Sequence, residues 1–183
     1  MQSDEQLVTC YRDSGRREAL DELTRRHLGR VRAMIYPMVL DGTVADDLTQ
    51  EVFLRAFRGL ASFNGRSQFS TWLYRVAMNT AKSFLSRQRR APVDFRAELP
   101  DDCPSSATRP ETSVMDIELQ TAVEAALAEL PPKLRAAIVL ITLEGMDPAK
   151  AAQIEGCSRP TIYWRLHEAR KRLKQQLEGH LST

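Results

Sequence analysis

Between Arg66 and Arg90 every charged side chain is basic: Arg66, Arg75, Lys82, Arg87, Arg89 and Arg90. At helical spacing Phe69, Leu73, Ala77, Ala81 and Phe84 fall on one side of this stretch, a stripe suited to a core. Arg75, Asn79, Lys82, Ser86 and Arg89 fall on another side, with Trp72 and Tyr74 at its N-terminal edge. That face has the chemistry to hold a strand of nucleic acid. Cations take phosphates, rings stack on unpaired bases, and a side-chain amide pairs with a base edge. A solvated basic face over an ordinary core has the same pattern, and there Asn79 would merely satisfy backbone groups.

A second basic cluster lies near the C-terminus. Pro148 to Ile154 reads as a short helix, with Asp147 as its cap and Pro148 where a missing N–H costs nothing. Gly156-Cys157-Ser158 reads as a turn, and Ser158 caps a last helix reaching about Leu177. Ile162, Leu166, Ala169 and Leu173 face inward there, leaving Arg165, Arg170, Lys171, Arg172 and Lys174 outside. A short helix, a turn with glycine and a longer one-sided basic helix make a helix-turn-helix, whose second helix can enter a major groove. A plain helical hairpin would share the pattern. Neither cluster looks enzymatic. The chain has no glycine-rich phosphate loop, no metal-ligand cluster and no nucleophile–base pairing, and its three histidines are scattered. No catalytic residue, cofactor or metal is expected.

The elements that position these clusters read as all-α throughout. Ser3 or Asp4 caps a short helix ended by Gly15, and a longer helix spans about residues 16–39. Leu20, Leu23, His27, Val31, Met34 and Ile35 mark its buried face, and Pro37 is positioned to kink or end it. His27 is expected to be packed rather than to ligate anything. After the turn at Asp41-Gly42, Thr43 and Asp46 read as cap and first-turn carboxylate of a helix running to Phe63. Residues 91–112 hold four prolines, small polar residues and net negative charge, and read as a flexible linker. Ser113 opens a second helical unit in which Ile117, Val123 or Thr121, Leu127 and Leu130 are buried and Pro131-Pro132 stops the helix. Another helix, about Lys133 to Leu143, follows. Two small helical domains result, 1–90 and 113–183.

Composition sets the outer bounds. A chain of 183 residues with 43% hydrophobic and 27% charged residues is ordinary for a globular protein. The net charge of +2 conceals acids gathered at 41–51 and 94–118 and bases at 66–90 and 159–174, and such local patches steer a polyanion. Cys10, Cys103 and Cys157 are far apart and odd in number, which fits a reducing compartment rather than a disulfide or zinc framework. The longest apolar run, Ala136 to Leu143, is too short to span a bilayer, and the acidic start is no signal peptide. A cytoplasmic location without membrane insertion is expected.

In chain order, DDLTQEVFLRAFR, FSTWLYRVAMNTAKSFLSRQRR, ELPPKLRAAIVL and the terminal RLHEARKRL resemble an extracytoplasmic-function (ECF) sigma factor of the bacterial sigma-70 family. The resemblance covers nearly the whole chain. It implies a stress-response transcription initiation factor with a sigma-2 domain, a linker and a sigma-4 domain, partnered by core RNA polymerase, promoter DNA and an anti-sigma factor. It implies that sigma-2 docks on the beta-prime clamp helices and opens the −10 element, while sigma-4 binds the beta flap and reads the −35 duplex. By position, Gln50 and Glu51 match the clamp-helix contacts, with Asp47 and Arg55 on the same face. Asn79 matches the residue that engages a flipped base. The loop from Phe63 to Ser70 matches the base-capturing loop, and Lys82, Arg87, Arg89 and Arg90 match backbone contacts; Trp72 and Arg75 of the basic face are expected to join them at the −10 element. Tyr163, Trp164, Arg165, His167 and Glu168 fall where relatives place −35 readers, with Ser158, Arg159, Thr161, Arg170 and Lys171 around them. Relatives commonly carry a small residue between two arginines where this chain has Tyr163-Trp164-Arg165, and an apolar residue where it has Glu155. Glu168 either accepts from a base or pairs within the helix with Arg165, Lys171 or Arg172. A free-standing helix-turn-helix regulator would explain residues 113–183 but not the basic helix before them.

Overall fold

The computed structural model describes the backbone of residues 2–90 and 114–181 and the side chains of 2–90 and 118–178. Every regular element among the described residues is helical. The linker at 91–112, Ser113 and the Ile117 side chain lie outside them.

In the first unit, Ser3 opens α1 (Asp4–Ser14) by accepting from the Gln6 N–H, and the Gln6 side chain accepts from the Ser3 N–H at 2.8 Å. That reciprocal pair satisfies two donors left free at any helix start. Gly15, at φ 67°, closes the helix. The long α2 (Arg17–Val39) buries Leu23, His27, Val31, Met34 and Ile35 as expected, with Leu20 only partly covered. Pro37 does not stop it: the helix runs two residues further and closes on Leu40 in the left-handed region. The helix α3 (Gly42–Gly59) starts earlier than the sequence suggested. Its cap is Asp41, whose carboxylate accepts from the Val44 N–H at 2.9 Å, so Thr43 and Asp46 lie inside the helix. A short 3-10 turn at Leu60–Ser62 ends it. The basic helix α4 (Phe69–Arg90) packs Phe69, Leu73, Ala77 and Ala81 against α2 and α3.

The second unit begins with α5 (Val114–Glu129). Its apolar stripe is covered only toward the C-terminus: Leu119 and Val123 are 51% and 36% exposed, Leu127 and Leu130 only 6% and 0%. Val123 is therefore not core, and Thr121 is exposed as well. Pro132 starts α6 (Pro132–Ile138), which continues through a π-helical turn, Val139–Leu143, where the Glu144 N–H reaches the Val139 carbonyl. Asp147 caps α7 (Pro148–Glu155), Gly156 ends it at φ 63°, and Ser158 accepts from the Thr161 N–H at the start of α8 (Arg159–Leu181). Ile162, Leu166 and Ala169 are buried and Leu173 partly so.

The two units share one core. The apolar cluster of α2 to α4 continues into Ala136, Leu140, Ala151 and Ile154 of the second unit. Arg135, 4% exposed, lies at this junction and donates to the carbonyls of Met38, Ala128 and Leu130. All three acceptors stand at helix C-termini, where the helix dipole is negative, so a buried cation is held there without a carboxylate. Burial first, and Arg89 nearby, push its guanidinium below the usual value.

Candidate nucleic-acid interface

α4 delivers the two-sided pattern its sequence promised. With Phe69, Leu73, Ala77 and Ala81 buried, Arg75, Asn79, Ser86, Arg87, Arg89 and Arg90 are exposed and Lys82 half-buried. Asn79 points outward instead of serving backbone groups inside the bundle. Trp72 stays at the edge of this face, but Tyr74 does not: it is 3% exposed and cannot stack on a base. Its hydroxyl meets His27 Nδ1 at 3.3 Å, and His27 Nε2 meets the Asp4 carboxylate at 2.7 Å. Burial pushes the Tyr74 hydroxyl above its ordinary value. Tyr74 thus joins α1, α2 and α4, as His27 does. Tyr74 directly follows Leu73, about 100° round the wheel, and both are buried.

The loop between α3 and α4 forms a cleft of about 670 Å³ with Asn64, Arg66, Gln68, Trp72 and Arg75 on its walls. Phe63 lies beneath it, 6% exposed, edge-on to Phe69 and tilted against Trp72. Its ring contributes to the lining of the cleft while packing against both neighbours. α1 pins this loop at both ends. Arg12 donates to the Phe63 carbonyl at 3.2 Å, and the Glu5 carboxylate accepts from the Phe69 N–H at 3.1 Å. Nothing in the local sequence around residue 69 signals a cap from residue 5. A second cleft of about 350 Å³ lies further along α4, among Asn79, Lys82, Ser86, Arg87 and Arg90.

Between the two clefts sits the end of α7. The Gln153 carbonyl accepts from Arg75, and the Glu155 carboxylate, 1% exposed, accepts from Lys82 at 2.8 Å and from Arg165 of α8 at 3.1 Å. Arg165 is correspondingly held at 13% side-chain exposure. On α8 the outward groups are Arg159, Tyr163, Trp164, His167, Arg170 and Lys171, with Trp164 62% exposed. Glu168 pairs with Arg172 at 2.7 Å, and this hydrogen bond holds its carboxyl below the usual range. In the DNA-free chain Glu168 thus forms the intrahelical pair.

On α3, Asp47, Gln50 and Arg55 are exposed, and Glu51 is half-buried and paired with Arg55 at 2.5 Å. Among them Leu54 is 57% exposed, a residue the polar pattern did not single out. Among the described residues no group of three or more potential ligands could hold a metal, and no helix is long and apolar enough to cross a membrane.

Two family models match the chain, sigma-70 region 2 over residues 23–91 and sigma-70 region 4 over residues 120–173. The RNA polymerase sigma-H factor of Pseudomonas aeruginosa is 31% identical over 97% of this chain and 95% of its own length. The ECF RNA polymerase sigma-E factor of Escherichia coli K12 is 33% identical over 95% and 94%. Among solved structures, CnrH bound to the cytosolic domain of CnrY shares the fold, with a TM-score of 0.70 at 24% identity over 97% of this chain and 99% of that one. The sigma factor RpoE bound to the anti-sigma factor NepR, from Bartonella quintana, gives a TM-score of 0.63 at 28% identity over 86% and 96%. The chain belongs to the sigma-70 family, as a sigma factor of the extracytoplasmic-function type. It is therefore a transcription initiation factor and not an enzyme. The match over the first unit favours this reading over a free-standing regulator, which would have no use for α4.

Proposed function

We propose that this sigma factor docks on core RNA polymerase through α3, opens and reads the −10 element with α4, and reads the −35 duplex with α8. Residues 1–90 and 113–183 act as the two domains and 91–112 as their linker. The observation that carries the reading is Asn79, exposed between Arg75 and Lys82 on a helix whose opposite side is buried. The cleft beside Trp72 has room for an extruded base, and Arg87, Arg89 and Arg90 continue the cationic track for the backbone. The relatives named as RNA polymerase sigma factors support the polymerase partner and a cytoplasmic site of action, and the NepR complex supports an anti-sigma partner. Run-off transcription with purified core polymerase on a promoter library tests the whole. Transcripts that do not depend on the added protein would overturn it.

Docking makes its own prediction. Gln50→Ala combined with Glu51→Ala should weaken core binding by about 1 kcal/mol or more while the melting curve stays in place, because both side chains lie outside the apolar stripe. Unchanged affinity in a titration with core polymerase would remove α3 from the interface.

For the −35 element, Tyr163, Trp164 and His167 carry the outward surface nearest the start of α8, flanked by Ser158, Arg159, Thr161, Arg170 and Lys171. Trp164 suits apolar contact such as a thymine methyl. Arg165 and Glu168 begin with partners that a base would have to displace. Sites selected from randomised duplexes should therefore shift for Trp164→Ala and stay the same for Glu168→Ala. A shift with Glu168→Ala and none with Trp164→Ala would reverse this assignment.

A further inference from the structure

Glu155 is the last residue of α7, and its side chain is 1% exposed. That is an unfavourable place for a carboxylate on two counts. Burial removes the water that would solvate it, and the last carbonyls of a helix carry the negative end of the dipole. Two cations compensate, Lys82 of α4 at 2.8 Å and Arg165 of α8 at 3.1 Å. Only Arg165 shares the helix-turn-helix with Glu155, so this pair ties the two helices of that motif to each other. Arg165 makes no other hydrogen bond among the described residues. Its side chain is drawn back to 13% exposure, while Trp164, one residue earlier, is 62% exposed.

We propose that Glu155 is a specificity-determining residue of the −35 read, and that it acts by withholding Arg165 from the base edges. The proposal rests on the reading of α8 as the helix that enters the −35 duplex. A guanine offers an arginine two acceptors, O6 and N7, and a free Arg165 could meet both. To do so its guanidinium must leave α7, and the carboxylate then loses the one cation that its own motif supplies. Leaving a buried charge short of its partner is a larger effect than gaining one base contact, so the pair persists on DNA. The neighbouring pair of Glu168 with Arg172 is different in kind. It joins residues four apart along one helix, with the arginine half exposed, and solvent screens it, so it restrains its arginine little. With Arg165 held back, the outward surface at the start of α8 is left to Tyr163, Trp164 and His167. Glu155 thus shapes the sequence preference without touching DNA.

The test uses the full chain assembled with core polymerase, selecting −35 sequences from a randomised promoter library with a fixed −10 element. Glu155→Leu removes the acceptor, and Glu155→Gln removes the charge but keeps a weaker amide acceptor. The leucine variant should gain a guanine preference of about fivefold or more at one −35 position, the lower end of what a bidentate contact discriminates. The glutamine variant should show a smaller gain at the same position. Adding Arg165→Ala to either variant should abolish the gain. A thermal melt of each protein accompanies the selection, and the glutamine variant, equal in size to the parent, carries the test where leucine upsets folding. Folded Glu155 variants that select the parent motif would overturn the proposal, and so would a gain that survives Arg165→Ala. A guanine lost from the parent motif with Arg165→Ala alone would overturn it as well, because the arginine would already be reading. Failure of the −35 reading itself would show separately, as a parent protein that selects no −35 sequence at all.

Discussion

Arg135→Ala will lower the stability of the whole chain by about 3 kcal/mol or more, the order expected when one partner of a buried charged network is removed. For a chain of this size that corresponds to a drop in Tm of roughly 6–12 °C. The guanidinium spans three carbonyls from two units, those of Met38, Ala128 and Leu130, and alanine leaves the buried Met38 and Leu130 carbonyls without this donor. Arg135→Lys should recover only part of the loss, because one ammonium cannot cover acceptors set around a planar fork. A thermal melt by circular dichroism decides it. An alanine variant melting within about 2 °C of the parent, less than 1 kcal/mol by the same scaling, would show that those carbonyls find water without the arginine.

Asn79→Ala carries the second large effect, and it lies in function rather than stability. Losing a paired amide contact to a base costs about 1–3 kcal/mol of discrimination, by analogy with bidentate contacts in duplex DNA. That corresponds to a loss of about 5- to 150-fold in promoter opening, or to relaxed preference at one −10 position. Core binding and closed-complex formation should be unchanged, and so should the melt, because the side chain is exposed. Permanganate footprinting next to a melting curve separates the outcomes. Normal opening and a lower Tm would make Asn79 a structural residue.

What could be read from the sequence follows from the range of the forces involved. The stripe Phe69, Leu73, Ala77 and Ala81 is local periodicity, and it placed both the buried and the cationic side of α4. The helix-turn-helix was legible because Asp147, Gly156 and Ser158 act within three or four residues of themselves. Tyr74 was misplaced because its burial depends on His27, a residue 47 positions earlier. The start of α3 was set too late because Asp41 and Thr43 are both plausible caps, and only the geometry selects the carboxylate. Val123 has the right phase on α5, but coverage from neighbouring helices ends before reaching it. Glu155 stood out only as a carboxylate in an apolar position, and its two cations, 73 and 10 residues away, could not be read from spacing.

The attachment of α1 changes how the loop at residues 64–68 should be regarded. The region 2 match begins at residue 23, after α1, yet Glu5 and Arg12 tie the two ends of that loop. A fragment cut to the match would keep every arginine and lysine of α4 and lose both tethers. The loop would then sample many shapes, and on the proposed reading, in which it receives a base, its apparent affinity would fall in proportion to the time spent outside the receptive one. In this chain the first fourteen residues limit that loss of configurational freedom before any DNA arrives.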